Sequence, residues 1–136
     1  MRELLKILLI DSDFDALSKY GDFLNKSGFS TFTATKKEDI LSEIEKIAPV
    51  IILIDSQVRD ALQLCGIIKE MPDLKNSMII LVFDENSPVQ FIENAINEGA
   101  DDFLFKPFSE VALLARITAS ARILKLVFLH QLTFRN

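Results

Sequence analysis

Three acidic side chains and one lysine directly follow short apolar runs of the sequence. The acidic residues are Asp11, Asp55 and Asp84, and the lysine is Lys106. Clustered carboxylates disfavour one another's ionisation unless a cation lies among them. Oxygen ligation by one or two carboxylates and waters suits Mg²⁺. A carboxylate nucleophile, a metal ion and a lysine that neutralises a phosphoryl group are the components of aspartyl phosphorylation.

Each of these residues also has a simpler explanation. Asp11 or Asp13 could merely cap the helix that follows. A single lysine such as Lys106 is most often a solvated charge. Asp55 is harder to explain in this way, because it follows the five apolar residues Val50–Ile54, at a depth where a lone carboxylate needs a partner. Taken together, the residues favour the functional interpretation.

Short apolar runs predict the strands that position these side chains. Apolar residues on both faces are typical of strands buried between two layers, as in a parallel sheet. The strongest predicted strands are Lys6–Ile10, Val50–Ile54 and Met78–Phe83, and the weaker ones are Phe29–Ala34 and Phe103–Phe105.

Helical patterns alternate with these runs. The signals are the stripe of Leu17, Tyr20 and Leu24, a capping box over Thr35–Glu38, the run Ala61–Glu70, a fourth helix opened by Pro88 and ended by Gly99, and an N-cap at Ser109. The order predicts a doubly wound α/β domain with a five-stranded parallel sheet, (βα)₅. In such sheets ligands bind beyond the carboxyl ends of the strands, which is where the acidic residues and the lysine stand.

The last helix carries a longer apolar pattern than a five-stranded domain needs. The pattern comprises Val111, Leu114, Ile117, Ala121, Leu124, Phe128 and Leu132. It is compatible with an ordinary final helix, but we favour an extended C-terminal helix that pairs with a second copy or leads into a further domain. By contrast, we expect Asp101 and Asp102 to form a solvated loop without a chemical role.

Composition excludes several classes of protein. The chain has 136 residues, 49% of them hydrophobic and 26% charged, with a formal net charge of −5. One domain is expected, and disorder is excluded. The single Cys65 and single His130 exclude an internal disulfide framework and a Cys-rich or His-cluster metal site, and they argue against a Ser-His-Asp or Cys-His hydrolase. The acidic balance argues against direct nucleic-acid binding, and no apolar run approaches the roughly 18 residues of a membrane span. We therefore expect a cytoplasmic protein that contacts neither nucleic acid nor membrane.

Three segments resemble the receiver domain of bacterial two-component response regulators. They are Ile7–Asp11, Pro49–Asp55 and Gly99–Phe108. The resemblance covers about residues 5–123 and implies a flavodoxin-like fold. It divides the chain into a receiver domain, residues 1–123, and residues 124–136 as a helical extension or the start of an output region.

The resemblance also implies roles for individual residues. Asp55 would accept a phosphoryl group from a histidine kinase or a phosphotransfer protein, and Lys106 would bind that group. The other implied roles are Mg²⁺ ligation by Asp11, Asp55 and the backbone carbonyl of Gln57, with Asp13 as a further candidate ligand, switch positions at Asp84 and Phe103, and a cis peptide bond before Pro107.

The sequence departs from the family at three places. Ser12 stands where a second consecutive acid is usual, which predicts a weakened Mg²⁺ site. Asp84 stands where the family has a serine or threonine that binds the phosphoryl oxygens, and a carboxylate there would repel a phosphoryl group. The loop after Asp55, residues 56–60, is shorter than usual and lacks the usual proline and glycine.

Three hypotheses follow for function. The first, which we favour, is a phosphoacceptor switch that changes partner binding or dimerisation through the last helix or the face of the fifth strand. The second is a pseudo-receiver, an interaction module not switched by phosphorylation. The third, a flavin- or nucleotide-binding protein, is weakened by the lack of a glycine-rich loop after the first strand. None of them predicts an enzyme in the ordinary sense.

Overall fold

A computed structural model describes residues 5–35 and 37–134. It contains five strands and five helices in strict alternation. The elements in chain order are β1 (Lys6–Ile10), α1 (Phe14–Lys26), β2 (Ser30–Ala34), α2 (Lys37–Ile47), β3 (Ile51–Asp55), α3 (Ala61–Glu70), β4 (Met78–Asp84), α4 (Val89–Glu98), β5 (Asp102–Lys106) and α5 (Glu110–Phe134).

The five strands form one parallel sheet in the order β2-β1-β3-β4-β5. Buried residues on one face of the sheet pack against α2, α3 and α4. Those on the other face pack against α1 and α5. The sheet is therefore covered on both sides, which explains why its central strands are apolar on both faces. The doubly wound, flavodoxin-like α/β fold with a long C-terminal helix is confirmed.

Strand and helix bounds follow local signals. The prediction for β1 and the helix Ala61–Glu70 agree with the structure residue for residue. Gly99 ends α4 with φ 115°, in the left-handed region that favours glycine. The Ser109 hydroxyl accepts a hydrogen bond from the Ala112 N–H at 3.1 Å, so it caps α5 as expected. The predicted capping box over Thr35–Glu38 lies partly outside the described residues.

The predicted apolar stripe of α5 is wrong at its first residue, whereas Leu114 and Ile117 pack against the core as expected. Val111 is 76% exposed, whereas Leu113 and Ile117 are fully buried. The Ser109 cap sets where the helix begins, and packing against the sheet places Leu113, not Val111, on the buried side. α5 runs unbroken through residue 124, and it is 25 residues long. Within the described part of the chain, we find no helix with the length and apolar character to span a membrane.

The expectation for Asp101 and Asp102 also needs correction. Asp102 is the first residue of β5 and its carboxylate lies 3.4 Å from Arg116. Asp101 forms an ion pair with Lys69 at 2.8 Å. The sequence pattern missed both contacts because the partners lie on other elements, and periodicity does not show which side chains of separate elements meet.

Candidate functional site

Four predicted residues lie at the carboxyl ends of neighbouring strands. Asp11 directly follows β1, while Asp55, Asp84 and Lys106 are the last residues of β3, β4 and β5. Successive side chains of a strand point to opposite faces of the sheet. These four residues share the alternation of the core that packs against α1 and α5. They are therefore on the same face of the sheet.

Lys106 joins two carboxylates that are far apart in the sequence. Its ammonium Nζ lies 2.9 Å from Oδ1 of Asp55 and 3.4 Å from Oδ2 of Asp11. The three side chains line a common cavity of about 20 Å³, which has room for about one water molecule. The structure thus brings Asp11, Asp55 and Lys106 together in one pocket.

Asp55 is the most buried carboxylate of this group. Its side chain is 6% exposed, and its Oδ2 accepts a hydrogen bond from the Gln57 N–H at 3.1 Å. Burial raises the pKa of the Asp55 carboxyl, and the negative charge of Asp11 raises it further. The hydrogen bonds from Lys106 and Gln57 act in the opposite direction. The carboxylate is therefore poorly solvated and depends on Lys106 for compensation.

Lys106 responds to the same surroundings in a way that keeps it charged. Burial alone lowers its pKa, but the hydrogen bond and the charge of Asp55, together with Asp11, raise the pKa above its ordinary value. The lysine is therefore a permanent positive charge at neutral pH. A cation fixed beside a buried carboxylate can stabilise negative charge that arrives there.

The loop between β1 and α1 is ordered by its own carboxylates. Oδ1 of Asp11 accepts a hydrogen bond from the Asp13 N–H at 3.0 Å. Oδ1 of Asp13 accepts from the N–H groups of Asp15 and Ala16 at 3.0 and 3.3 Å, so Asp13 caps α1. Asp13 is also a candidate metal ligand by sequence, but in the structure its Oδ1 accepts hydrogen bonds from the first turn of α1.

The oxygen atoms in the pocket suit a hard divalent cation. Within residues 5–35 and 37–134, no group of three or more histidine, cysteine, aspartate or glutamate side chains is arranged to hold a metal ion. Mg²⁺ needs fewer ligating side chains than this, since one or two carboxylates and several waters commonly bind it. Asp11 and Asp55 supply two carboxylates that already converge on one positive charge. The chemistry of these two carboxylates fits Mg²⁺, and the exposed Ser12 offers only a neutral hydroxyl.

Asp84 is exposed and is held by Gln57. The Gln57 side-chain Nε2 donates a hydrogen bond to Oδ2 of Asp84 at 3.3 Å. Asp84 is also the register partner of Lys106 in the β4–β5 pair. A third carboxylate therefore lies beside the pocket, at the end of β4.

Phe103, the other predicted switch position, lies on the opposite face of the sheet. It is half-buried and packs against the fully buried Phe83, with ring centroids 5.6 Å apart. Phe91 of α4 contacts the same Phe83 ring edge-on at 5.5 Å. Phe103 is thus part of an aromatic cluster that joins β4, β5 and α4.

Sequence reasoning missed two residues that wall the pocket. The Tyr20 ring of α1 stacks on Phe108 with centroids 4.8 Å apart, and both line the cavity beside Asp55. The peptide bond between Lys106 and Pro107 is cis, and Phe108 follows directly. The sequence feature that could have indicated Phe108 is its position two residues after Lys106. Tyr20 was identified only as part of a core stripe.

Comparisons with known proteins identify the family of this chain. The family model described as response regulator receiver domain matches residues 7–118. Protein PilG of Pseudomonas aeruginosa is 30% identical over 117 residues, covering 85% of this chain and 86% of that protein. Sensory transduction protein BceR of Halalkalibacterium halodurans is 28% identical over 121 residues, covering 88% of this chain and 51% of BceR. The chain spans about half the length of the first curated relatives that it matches.

Solved structures show the same fold. A response regulator receiver modulated diguanylate cyclase from Pelobacter carbinolicus superposes with a TM-score of 0.75 at 29% identity, covering 90% of this chain and 97% of that chain. Chemotaxis response regulator CheY4 of Vibrio cholerae superposes with a TM-score of 0.79 at 20% identity, covering 85% and 98%.

Proposed function

Because the chain belongs to the response regulator receiver domain family, we propose that it is a phosphoacceptor switch in which Asp55 receives a phosphoryl group. One observation carries this proposal. The Lys106 ammonium contacts the buried Asp55 carboxylate at 2.9 Å and the Asp11 carboxylate at 3.4 Å, at the carboxyl edge of a parallel sheet. Such an arrangement places a nucleophile next to a fixed cation at the position where ligands bind in this fold.

The reaction forms one bond and breaks one. An oxygen of the Asp55 carboxylate attacks the phosphorus of the donor, and the bond between phosphorus and the donor's leaving group breaks. Ionised Asp55 is the nucleophile, and Lys106 keeps it ionised against the effect of burial. Lys106 also neutralises part of the charge on the arriving phosphoryl group. When bound, Mg²⁺ would supply further positive charge through Asp11, Asp55 and the Gln57 carbonyl.

The donor is a phosphohistidine of a histidine kinase or a phosphotransfer protein, which are the partners of receiver domains.

We place the receiver domain at residues 1–123 and assign residues 124–136 to a helical extension, within one continuous α5. Added charge at Asp55 would alter the neighbouring ends of β4 and β5, and through them the Phe83–Phe103 cluster. With these partners, we expect the protein to be located in the cytoplasm.

A self-associating surface on α5 is a further part of the proposal. Its outer side exposes Ile123, Leu126 and Leu129 at 47%, 67% and 47%. Exposed apolar side chains at this spacing form a strip along the helix that a second copy would cover. Leu126→Glu is expected to lower the sedimentation coefficient at high protein concentration, and Lys125→Glu serves as its neighbour control. A wild type that sediments as a monomer at every concentration would contradict the dimer.

Labelling with a small phosphodonor tests the central proposal. The protein is incubated with acetyl phosphate and Mg²⁺, and its intact mass is measured. Wild type should gain one phosphoryl mass, and Asp55→Ala should gain none. Glu45→Gln removes an exposed acid of α2 near the opposite edge of the sheet and should label like wild type. Equal labelling of wild type and Asp55→Ala would contradict Asp55 as the acceptor.

A further inference from the structure

Asp84 lies where it would face a phosphoryl group on Asp55. It is the last residue of β4 and shares a sheet face with Asp55. Gln57 bridges the two residues, since its backbone N–H donates to Asp55 Oδ2 at 3.1 Å and its side-chain Nε2 donates to Asp84 Oδ2 at 3.3 Å. The Asp84 carboxylate is thus within the span of one glutamine residue from the Asp55 carboxylate.

The charges in this pocket are unbalanced. Three carboxylates, Asp11, Asp55 and Asp84, lie on the same sheet face as the single ammonium of Lys106. Lys106 contacts Asp55 and Asp11, while Asp84 is held by the neutral amide of Gln57. Phosphorylation would replace the single negative charge of Asp55 by about two on the phosphoryl oxygens. Those oxygens and the Asp84 carboxylate would then repel each other at close range.

We propose that Asp84 makes the acyl phosphate on Asp55 short-lived, with Gln57 as the residue that positions it. This inference rests on the proposed function. In hydrolysis, a water oxygen attacks phosphorus, the bond between phosphorus and the Asp55 oxygen breaks, and its electron pair returns to the Asp55 carboxylate. Inorganic phosphate leaves, and the proton lost by water passes to solvent.

The direction of the effect follows from where charge moves. In a loose transition state the bond to the leaving oxygen is largely broken. Negative charge therefore leaves the phosphoryl group, which Asp84 repels, and builds on Asp55, which Lys106 contacts at 2.9 Å. Asp84 destabilises the phosphorylated ground state more than the transition state, so it speeds hydrolysis.

The test measures the lifetime of the label. Wild type and Asp84→Asn are labelled with acetyl phosphate and Mg²⁺, the donor is removed by desalting, and loss of the phosphoryl mass is followed over time. Asp84→Asn retains the size of the side chain and removes its charge, so we expect a half-life about 10-fold longer. Glu85→Gln makes the same charge change at the adjacent exposed residue and should decay like wild type.

The role of Gln57 is tested in two backgrounds. Gln57→Leu keeps the backbone N–H to Asp55 and removes the amide that holds Asp84. It should change the half-life in the wild-type background but not in Asp84→Asn, because a positioning residue acts only through the group that it positions. An equal change in both backgrounds would overturn the positioning role.

The remaining outcomes separate this inference from the proposed function. Equal half-lives of wild type and Asp84→Asn would overturn the inference and leave Asp55 as the acceptor. A lower yield of label in Asp84→Asn would also overturn it, since Asp84 would then act as a ligand for the cation. A label on Asp84→Asn without any on wild type would support repulsion and contradict wild-type phosphorylation. No label on either protein would overturn both proposals.

Discussion

Two lysine–aspartate ion pairs lie at opposite edges of the sheet, and their surroundings differ. At the amino edge, Lys69 contacts Asp101 at 2.8 Å and also donates to the Ser77 carbonyl. Asp101 and Ile79 exchange two hydrogen bonds, one from each backbone N–H, both of 2.8 Å. One acid meets one base, and the surrounding backbone groups complete their hydrogen bonding.

The pair at the carboxyl edge is not balanced in this way. Lys106 contacts both Asp55 and Asp11, and Asp84 adds a third carboxylate beside Gln57. Desolvation disfavours the ionised form of the buried Asp55 carboxylate and thereby raises its pKa. A matched pair stabilises the fold, whereas an excess of carboxylates near one lysine leaves negative charge that a bound cation can neutralise.

Removing each lysine should give the largest contrast between the two edges. Lys106→Met is expected to reduce acetyl phosphate labelling of Asp55 by about 100-fold, because one preorganised charge is lost from the reacting group. Lys69→Met should retain wild-type labelling and unfold at lower urea concentration. Intact-mass labelling and urea unfolding measure both effects. A Lys106→Met protein that labels as fast as wild type would contradict a catalytic role for this lysine.

Neutralising the two aspartates should change stability in opposite directions. Asp101→Asn is expected to lower the free energy of unfolding by about 2 kcal/mol, because Lys69 loses its partner and the Ile79 N–H loses its charged acceptor. Asp55→Asn should raise the urea midpoint at pH 7, since it removes a buried charge whose pKa is raised by burial. A lower urea midpoint in both variants would show that Lys106 fully compensates the buried charge of Asp55.

Gly99 tests the packing around the amino-edge pair. Its φ is 115°, and a methyl group there would lie 3.0 Å from Cγ of Lys69. Gly99→Ala is therefore expected to cost about 1–2 kcal/mol from the left-handed backbone, with additional loss if Lys69 shifts. Gly66→Ala should cost less, because its methyl group meets a side-chain oxygen of Glu98 at 3.1 Å and the Glu98 backbone oxygen only at an ordinary 3.8 Å. Urea unfolding of the two variants compares them directly.

The pH dependence of stability should give the smallest effect. The folded-state pKa of Asp55 is raised, so the folded protein binds more protons than the unfolded chain between the two pKa values. The contribution of Asp55 to the free energy of unfolding is highest below the pKa of this residue in the unfolded chain. It is lost as the pH rises through the folded-state pKa. The difference in urea midpoint between Asp55→Asn and wild type should therefore grow from pH 4 to pH 7. A constant difference would contradict the raised pKa.

The fold was largely predictable because local signals agree with the tertiary structure. The apolar runs ended by Asp11, Asp55 and Asp84 are strands because they are buried on both faces, and Gly99 and Ser109 bound helices by backbone and capping chemistry. The phase of α5 was not predictable, since apolar residues occur on several of its sides. Contact with the sheet selected Leu113 and left Val111 exposed.

The sequence by itself determined which chemical groups stand at the strand ends, because an apolar run that stops at a charged residue marks the edge of a buried sheet. Only the tertiary structure decided how these groups pair. Lys106 could have been solvated, and Asp101 could have been a loop residue. Strand register and helix packing decide that Lys106 bridges Asp55 and Asp11, that Gln57 holds Asp84, and that Lys69 neutralises Asp101. Such contacts join residues separated by long stretches of chain, and hydrophobic periodicity carries no information about them.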